Sequence, residues 1–244
     1  MFKKYQGKLY CFSPPVMLAT FLIEFGLAFY TLWRYKMTAV SRLAIVTLFA
    51  LGTFQLSEYM VCGGMGLSNT GWTRVGYGAI TLLPALGVHM LLTVADKRMP
   101  ALINAAYTSC AIFFGFYLLT SNSVSLQACY ANYAVFSVYR PISLMFSAYY
   151  YGWTLTVMCL AWTWGNKLPK QKQALHAMVF GCLVFLIPTA TVNIIDPTTT
   201  RGLPSIMCGF AVLYAIILVA KILPNSCEVR TSIQNWRETL RPRI

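Results

Sequence analysis

Seven times along the chain a run of more than 20 residues passes with scarcely a charge. The runs are about Pro14–Tyr35, Val40–Cys62, Trp72–Ala95, Met99–Thr120, Pro141–Gly165, Lys172–Ile195 and Gly202–Leu223. Coiled as helices at about 1.5 Å per residue, each is long enough to cross roughly 30 Å of hydrocarbon. Lipid offers no partner to a backbone N–H or C=O, so repeated runs of this kind have to be helices. Composition agrees: charged residues are 10% of the 244 and apolar ones 58%, against about 25% charged in a soluble domain. The expected fold is all-α, a polytopic seven-transmembrane helix bundle occupying residues 1–223. Residues 224–244 are expected to form a short basic cytoplasmic tail. The first run is followed by Trp33 and Arg34 rather than a small-residue cleavage site, so it is read as a retained span.

Charge sets the expected orientation. A net charge of +13 would suit a nucleic-acid binder, but the positive residues sit at helix ends and do not cluster on a soluble domain. Arg34, Lys36, Arg42, Lys97, Arg98, Lys167, Lys170, Lys172, Lys221, Arg230, Arg237, Arg241 and Arg243 fall on one side of the membrane, 13 of the 19 basic residues. Lys3, Lys4, Lys8, Arg74, Arg140 and Arg201 fall on the other. The excess of lysine and arginine in cytoplasmic loops then places the N-terminus out and the C-terminus in. Anionic cytoplasmic lipid is the expected partner of the tail, not nucleic acid. Trp33, Trp72, Trp162 and Trp164 lie at span ends, where amphipathic rings prefer to sit. The expected home is a plasma (inner) membrane.

Most connections are short, which makes successive helices antiparallel neighbours. The exception is "SNSVSLQACYANYAVFSVYR", Ser121–Arg140, read as an outward loop. It is either a lid over an outward-facing cavity or a loose cover for helix ends. Cys11, Cys62 and Cys129 are expected outside, where an oxidising compartment permits one disulfide, most plausibly Cys62–Cys129. Pro84 and Pro188 interrupt two spans and should kink them, opening space between helices.

The few polar residues inside the spans carry the functional reading, because ionisable groups there face the bundle interior and mark sites. On span two, Thr47, Leu51, Gln55, Glu58 and Cys62 recur at steps of three or four and form one stripe. On span three, Tyr77, Thr81, Ala85, His89 and Thr93 recur at steps of four, with Arg74 opening the same helix. Glu58 and Arg74 should lie at similar depth. One reading makes them a structural ion pair. The other makes Glu58, Arg74 and Gln55 the floor of an outward cavity, with Tyr77 and Asn193 orienting a small polar ligand. Asn193 and Asp196 otherwise cap span six. Glu24 shares a face with Thr20, Ala28 and Thr31 and has no evident basic partner. It is a candidate proton relay, or it hydrogen-bonds a neighbouring helix.

Several chemistries lack their residues. A retinal Schiff base needs a lysine well inside the last helix, and Lys221 sits at the inner end. Catalytic zinc usually takes three histidines; the chain has two, His89 and His176, read as hydrogen-bonding residues rather than a haem clamp. Phosphate-binding motifs are missing. No metal, cofactor or enzymatic activity is expected.

"WTRVGYGAITLLPALGVH" (Trp72–His89) resembles the third helix of the seven-helix amino-terminal sensor module of bacterial histidine kinases. That module opens this helix with an aromatic and an arginine, then a glycine turn, then a proline before an apolar run. "DPTTTRGLPSIMCGFAVLYAIILVAKIL" (Asp196–Leu223) is similar to the module's last loop and helix. The resemblance implies a seven-helix sensor with its N-terminus out. In that family a PAS, kinase or cyclase domain follows span seven, whereas here "PNSCEVRTSIQNWRETLRPRI" follows, so the expected sensor is stand-alone and signals through a separate protein. The expectation is a receptor-like protein binding a small ligand from outside, with Pro84 and Pro188 letting helices shift. The alternative is a small proton-coupled secondary transporter, with Glu24 or Glu58 taking up the proton.

Overall fold

A computed structural model describes residues 14–63, 68–120, 124–129 and 134–227. Cys11, the amino-terminal lysines Lys3, Lys4 and Lys8, and the tail arginines Arg230, Arg237, Arg241 and Arg243 lie outside the described residues.

The apolar runs form seven α-helices in order: α1 Pro14–Arg34, α2 Ala39–Gly63, α3 Asn69–Val94, α4 Pro100–Leu119, α5 Arg140–Gly165, α6 Lys172–Ile195 and α7 Leu203–Ile217. A π-helical turn, Leu218–Ile222, continues α7, and a 3-10 turn, Pro197–Gly202, precedes it. Six of the seven helices, α7 counted with its π turn, are long and apolar enough to cross a membrane, which makes this an integral membrane protein. The other is α5. Its 26 residues would reach about 39 Å, but three tyrosines, three threonines and three tryptophans dilute its apolar character. Tyr149 and Tyr150 are buried, so part of that polarity points into the bundle.

Lipid-facing and core helices separate cleanly. The most apolar window of α3 is 72% buried and that of α4 only 17%. α3 packs against α2, α4, α5 and α6, and α1 closes the ring by meeting both α2 and α7. Leu22, Phe29, Ile112, Leu144, Phe180 and Ile187 are exposed on the rim, as a bilayer in place of water requires. The α1–α2 contact is close because position 52 is glycine: a Cβ there would collide with the Phe25 ring and lie 3.5 Å from the Glu24 Cβ. Between α3 and α4 the chain reverses at Asp96, φ 51°, a left-handed conformation that aspartate tolerates better than most residues.

The all-α expectation needs one correction. Inside the stretch read as a loop, β1 (Val124–Cys129) and β2 (Ala134–Val138) pair antiparallel, Val124 opposite Val138 and Cys129 opposite Ala134, with a bulge between Leu126 and Ala128. The sequence carries the cause. Val124 and Leu126 on one strand alternate with Ser125 and Gln127, and Phe136 and Val138 on the other flank Ser137, as in a half-buried strand, with Val135 the exception. Val124, Ala134 and Phe136 are buried, so the hairpin rests its apolar face on the end of the bundle, against α3 and the 3-10 turn.

Candidate functional site

The stripe expected on α2 lines up as a buried face. Thr47, Leu51, Gln55 and Glu58 are all buried, and Glu58 is 2% exposed. The α1 face of Thr20, Glu24, Ala28 and Thr31 is buried too, with Glu24 at 0%. On α3, Tyr77, Thr81 and Ala85 are buried, while His89 and Thr93 are half-buried.

Glu58 and Arg74 do not pair. Arg74 Nε donates to the Tyr117 carbonyl at 3.1 Å and Nη2 to the Leu118 carbonyl at 2.8 Å, both at the end of α4. The helical wheel explains the difference. Arg74 shares a face with Gly78, whose Cβ position lies 3.4 Å from Leu118 and Phe114 of α4. The face toward α2 belongs to Gly76, where a Cβ would stand 3.1 Å from that of Ser57. Two residues of α-helix turn the chain by about 200°, so Arg74 points almost directly away from Glu58's helix. A cation there also suits the free carbonyls and negative end of α4.

Asn193 lines neither of the two cavities described below. Its Oδ1 accepts from Thr200 Oγ1 at 2.8 Å and Thr199 Oγ1 at 3.5 Å, fastening the 3-10 turn to the end of α6. The residues that do gather are Glu58, Tyr77 and two that sequence reasoning missed, Ser205 and Cys208 of α7. Ser205 Oγ accepts from the Ala134 N–H of β2 at 3.1 Å, and its hydroxyl lies beside the Glu58 carboxyl. Tyr77 and Cys208 are both within electrostatic reach of Glu58. Tyr77 sits in an aromatic group with Tyr117, Phe136 and Phe146, ring centroids 5.0, 5.4 and 6.1 Å away. Phe136 belongs to β2 and also meets Phe54 of α2, 6.5 Å between centroids. The hairpin therefore lies directly over the buried carboxyl.

A covalent tie holds it there. Cys62 and Cys129 form a disulfide, Cα–Cα 5.9 Å, joining the end of β1 to α2 one turn beyond Glu58. The lid and the helix that carries the carboxyl are one unit.

Below this cluster lies a cavity of about 60 Å³. Thr47 and Leu51 of the α2 stripe, Pro84 of α3, Tyr150 and Thr154 of α5, and Cys208 and Tyr214 of α7 are among its walls. Of the two kink prolines Pro84 alone reaches it. Next to Ile80, whose carbonyl loses its helical donor to Pro84, the Thr81 carbonyl accepts from Tyr149 Oη of α5 at 2.7 Å and from the Cys110 thiol of α4 at 3.4 Å. Such a space takes several waters or one very small solute, far less than the roughly 300–1,000 Å³ of a typical organic-ligand pocket. A larger concavity of about 400 Å³ between α2, α3 and α4 has an apolar lining apart from Thr53 and offers no charge to a polar ligand.

Three carboxyl oxygens inside the bundle, Glu24 Oε1 and Oε2 on α1 and Glu58 Oε1 on α2, are buried without a hydrogen-bond partner, and so is the amide nitrogen of Gln55. The two histidines are engaged on separate sides of the bundle. His89 Nδ1 meets Tyr107 Oη at 3.0 Å, and His176 stacks on Trp162, centroids 5.0 Å apart, in a notch opened by Gly165. Among the described residues no group of histidine, cysteine and acid side chains could hold a metal ion. Compared with family models, characterised proteins and solved structures, the chain matches none of them.

Proposed function

We propose that this chain is a non-enzymatic, receptor-like membrane sensor that takes a small ligand from the outer face of a plasma membrane, beneath the Val124–Val138 hairpin. In this reading all seven helices span the bilayer, the N-terminus is outside and the C-terminus inside. Glu58 is the principal ligand-binding group, with Gln55 and Tyr77 beside it. Arg74 and Asn193 hold the surrounding framework. The observation that carries the proposal is the lidded carboxyl: a buried Glu58 with an unpartnered oxygen under a hairpin that is disulfide-bonded to its own helix. Burying such a group costs several kcal/mol unless something compensates it, and a ligand entering under the lid does so. Ser205 of α7 holds the Ala134 N–H of β2, so a ligand at Glu58 that shifts it would be felt by both elements, which gives the bundle a route for signalling to a separate protein. The resemblance of Trp72–His89 and Asp196–Leu223 to histidine-kinase sensor modules points the same way.

The test is thermal unfolding of the purified full-length protein against a panel of amines, amino acids, carboxylates and sugars. At least one class should raise the midpoint saturably, and Glu58→Gln should abolish the rise. Reconstituted vesicles should accumulate none of these solutes. Glu24, at 0% exposure with neither oxygen partnered, favours the second reading of a proton-coupled transporter. Accumulation driven by a pH gradient and lost in Glu24→Gln would replace the sensor with that.

A further inference from the structure

The concavity of about 400 Å³ between α2, α3 and α4 opens on the flank of the bundle. Ala50, Gly78 and Ala79 are buried at its floor, where small side chains keep it deep. Phe49, Leu82 and Phe114 stand half-buried along it, and Val46 and Leu118 are exposed at its edge. On α3 it runs from Val75 to Leu82 and on α2 from Val46 to Thr53, about 10 Å along each helix. A Cβ on Gly76 would touch Phe54 and Ser57 of α2, so the Val75 and Thr53 ends lie together. The concavity is therefore a groove parallel to the helices. Its length fits inside one leaflet, half of the roughly 30 Å of hydrocarbon.

The head of this groove carries a cation. Arg74 precedes Val75 and lies one turn from Gly78. Its Nη2 donates at 2.8 Å to the carbonyl of Leu118, itself a groove residue, and this bond is exposed at the bundle surface. With Nε on the Tyr117 carbonyl, two of the five guanidinium N–H groups are used. Among the described residues the other three have no partner. Trp72, two residues earlier, and the end of α4 at Leu119 put this head at the level where interfacial rings sit.

The two chemistries together specify an occupant. An uncharged slot open to hydrocarbon suits an acyl chain, and a guanidinium at its interfacial end suits a phosphate, which it can meet through parallel hydrogen bonds. A neutral apolar molecule would fill the slot and leave the spare donors unused.

We propose that the groove between α2, α3 and α4 binds one phospholipid from the leaflet on the hairpin side, its phosphate on Arg74 and one acyl chain along Val75–Leu82. The bound chain braces α4, whose apolar window is only 17% buried, against α2. The site shares no residue with the Glu58 cluster and stands whether or not Glu58 takes a ligand.

The test uses the full-length protein, stripped of lipid in a neutral detergent and titrated with dioleoylphosphatidylglycerol, with adducts counted by native mass spectrometry. One phosphatidylglycerol should bind saturably ahead of any others. Dioleoylglycerol, with the same chains and no phosphate, should bind at least tenfold more weakly. Arg74→Gln should weaken phosphatidylglycerol tenfold or more, and Arg74→Lys should keep part of the affinity. Ala79→Leu, which fills the floor, should weaken both lipids. If these variants fail to fold, the native chain still answers. A phosphatidylglycerol with a mid-chain diazirine should crosslink to groove residues of α2, α3 and α4, and unlabelled phosphatidylglycerol should compete where dioleoylglycerol does not. Equal binding of the two lipids, or crosslinks spread evenly over the exposed faces of all helices, overturns the site. Dimers without an adduct or a groove crosslink give the groove to a second copy and overturn it too.

Discussion

Arg74 shows how far one residue's role depends on rotation about a helix axis. Depth along the membrane normal is legible from sequence, and by depth alone Glu58 and Arg74 are natural partners. Their bearing is not, because it depends on which neighbour each helix face meets. The two glycines that settle it, Gly76 toward α2 and Gly78 toward α4, differ by two positions and look alike in sequence. The stripe Thr47, Leu51, Gln55 and Glu58 was legible because a repeat of three and four fixes a shared face without needing the neighbour's identity. Ser205 and Cys208 gave little warning, since a serine and a cysteine in a membrane helix are ordinary packing residues. Their spacing of three residues, on the face opposite Glu58, was the available signal. Arg74→Ala should remove two charged hydrogen bonds and lower stability by about 1–2 kcal/mol, discounted for partial exposure. Thermal unfolding should show a drop of a few degrees, while any solute that stabilises the native chain keeps its affinity. Loss of the solute response with an unchanged midpoint would return Arg74 to the binding site.

At the scale of elements, the helices followed from hydropathy and length, whereas the hairpin did not. Its strands are six and five residues, short enough that alternation competes poorly with the pull of neighbouring apolar runs. The pattern Val124, Leu126 and Ala134, Phe136, Val138 was nonetheless present. The disulfide adds what the strands lack. A two-stranded hairpin alone is marginal, and this one gains a covalent tie spanning 67 residues together with burial of Phe136. Cys62→Ser should therefore destabilise the fold by up to about 4 kcal/mol, the loop-closure entropy of a tie of that span. Hydrogen exchange localises the effect: amides of β1 and β2 should lose protection while the interior of α3 stays protected. Equal loss throughout α3 would mean that the hairpin is a foundation of the bundle and no lid.

For the whole molecule, the strongest regularity is that the bundle has two unlike ends. One carries the hairpin, the disulfide, the 3-10 turn and the meeting of Arg74 with α4. The other carries Arg34, Lys36 and Arg42 at the α1–α2 turn, Lys97 and Arg98 after α3, and Lys167, Lys170 and Lys172 between α5 and α6. Thr38 and Cys227 meet at 3.3 Å at that end, so the chain after α7 packs on the α1–α2 turn. Disulfides persist in oxidising compartments and basic loops stay in the cytoplasm. These independent tendencies both favour the proposed orientation. In that proposed orientation α5 also crosses, because an odd number of crossings then separates Arg74's end of α3 from Lys221. Ser125→Cys on the exposed side of β1 and Lys97→Cys in the α3–α4 turn test the orientation. In intact cells a membrane-impermeant maleimide, located by mass spectrometry, should label position 125 and leave position 97 unmodified until the membrane is opened. Labelling at 97 with protection at 125 would invert the protein and move the lidded carboxyl to the cytoplasmic face, leaving its geometry intact but changing the source of its ligand.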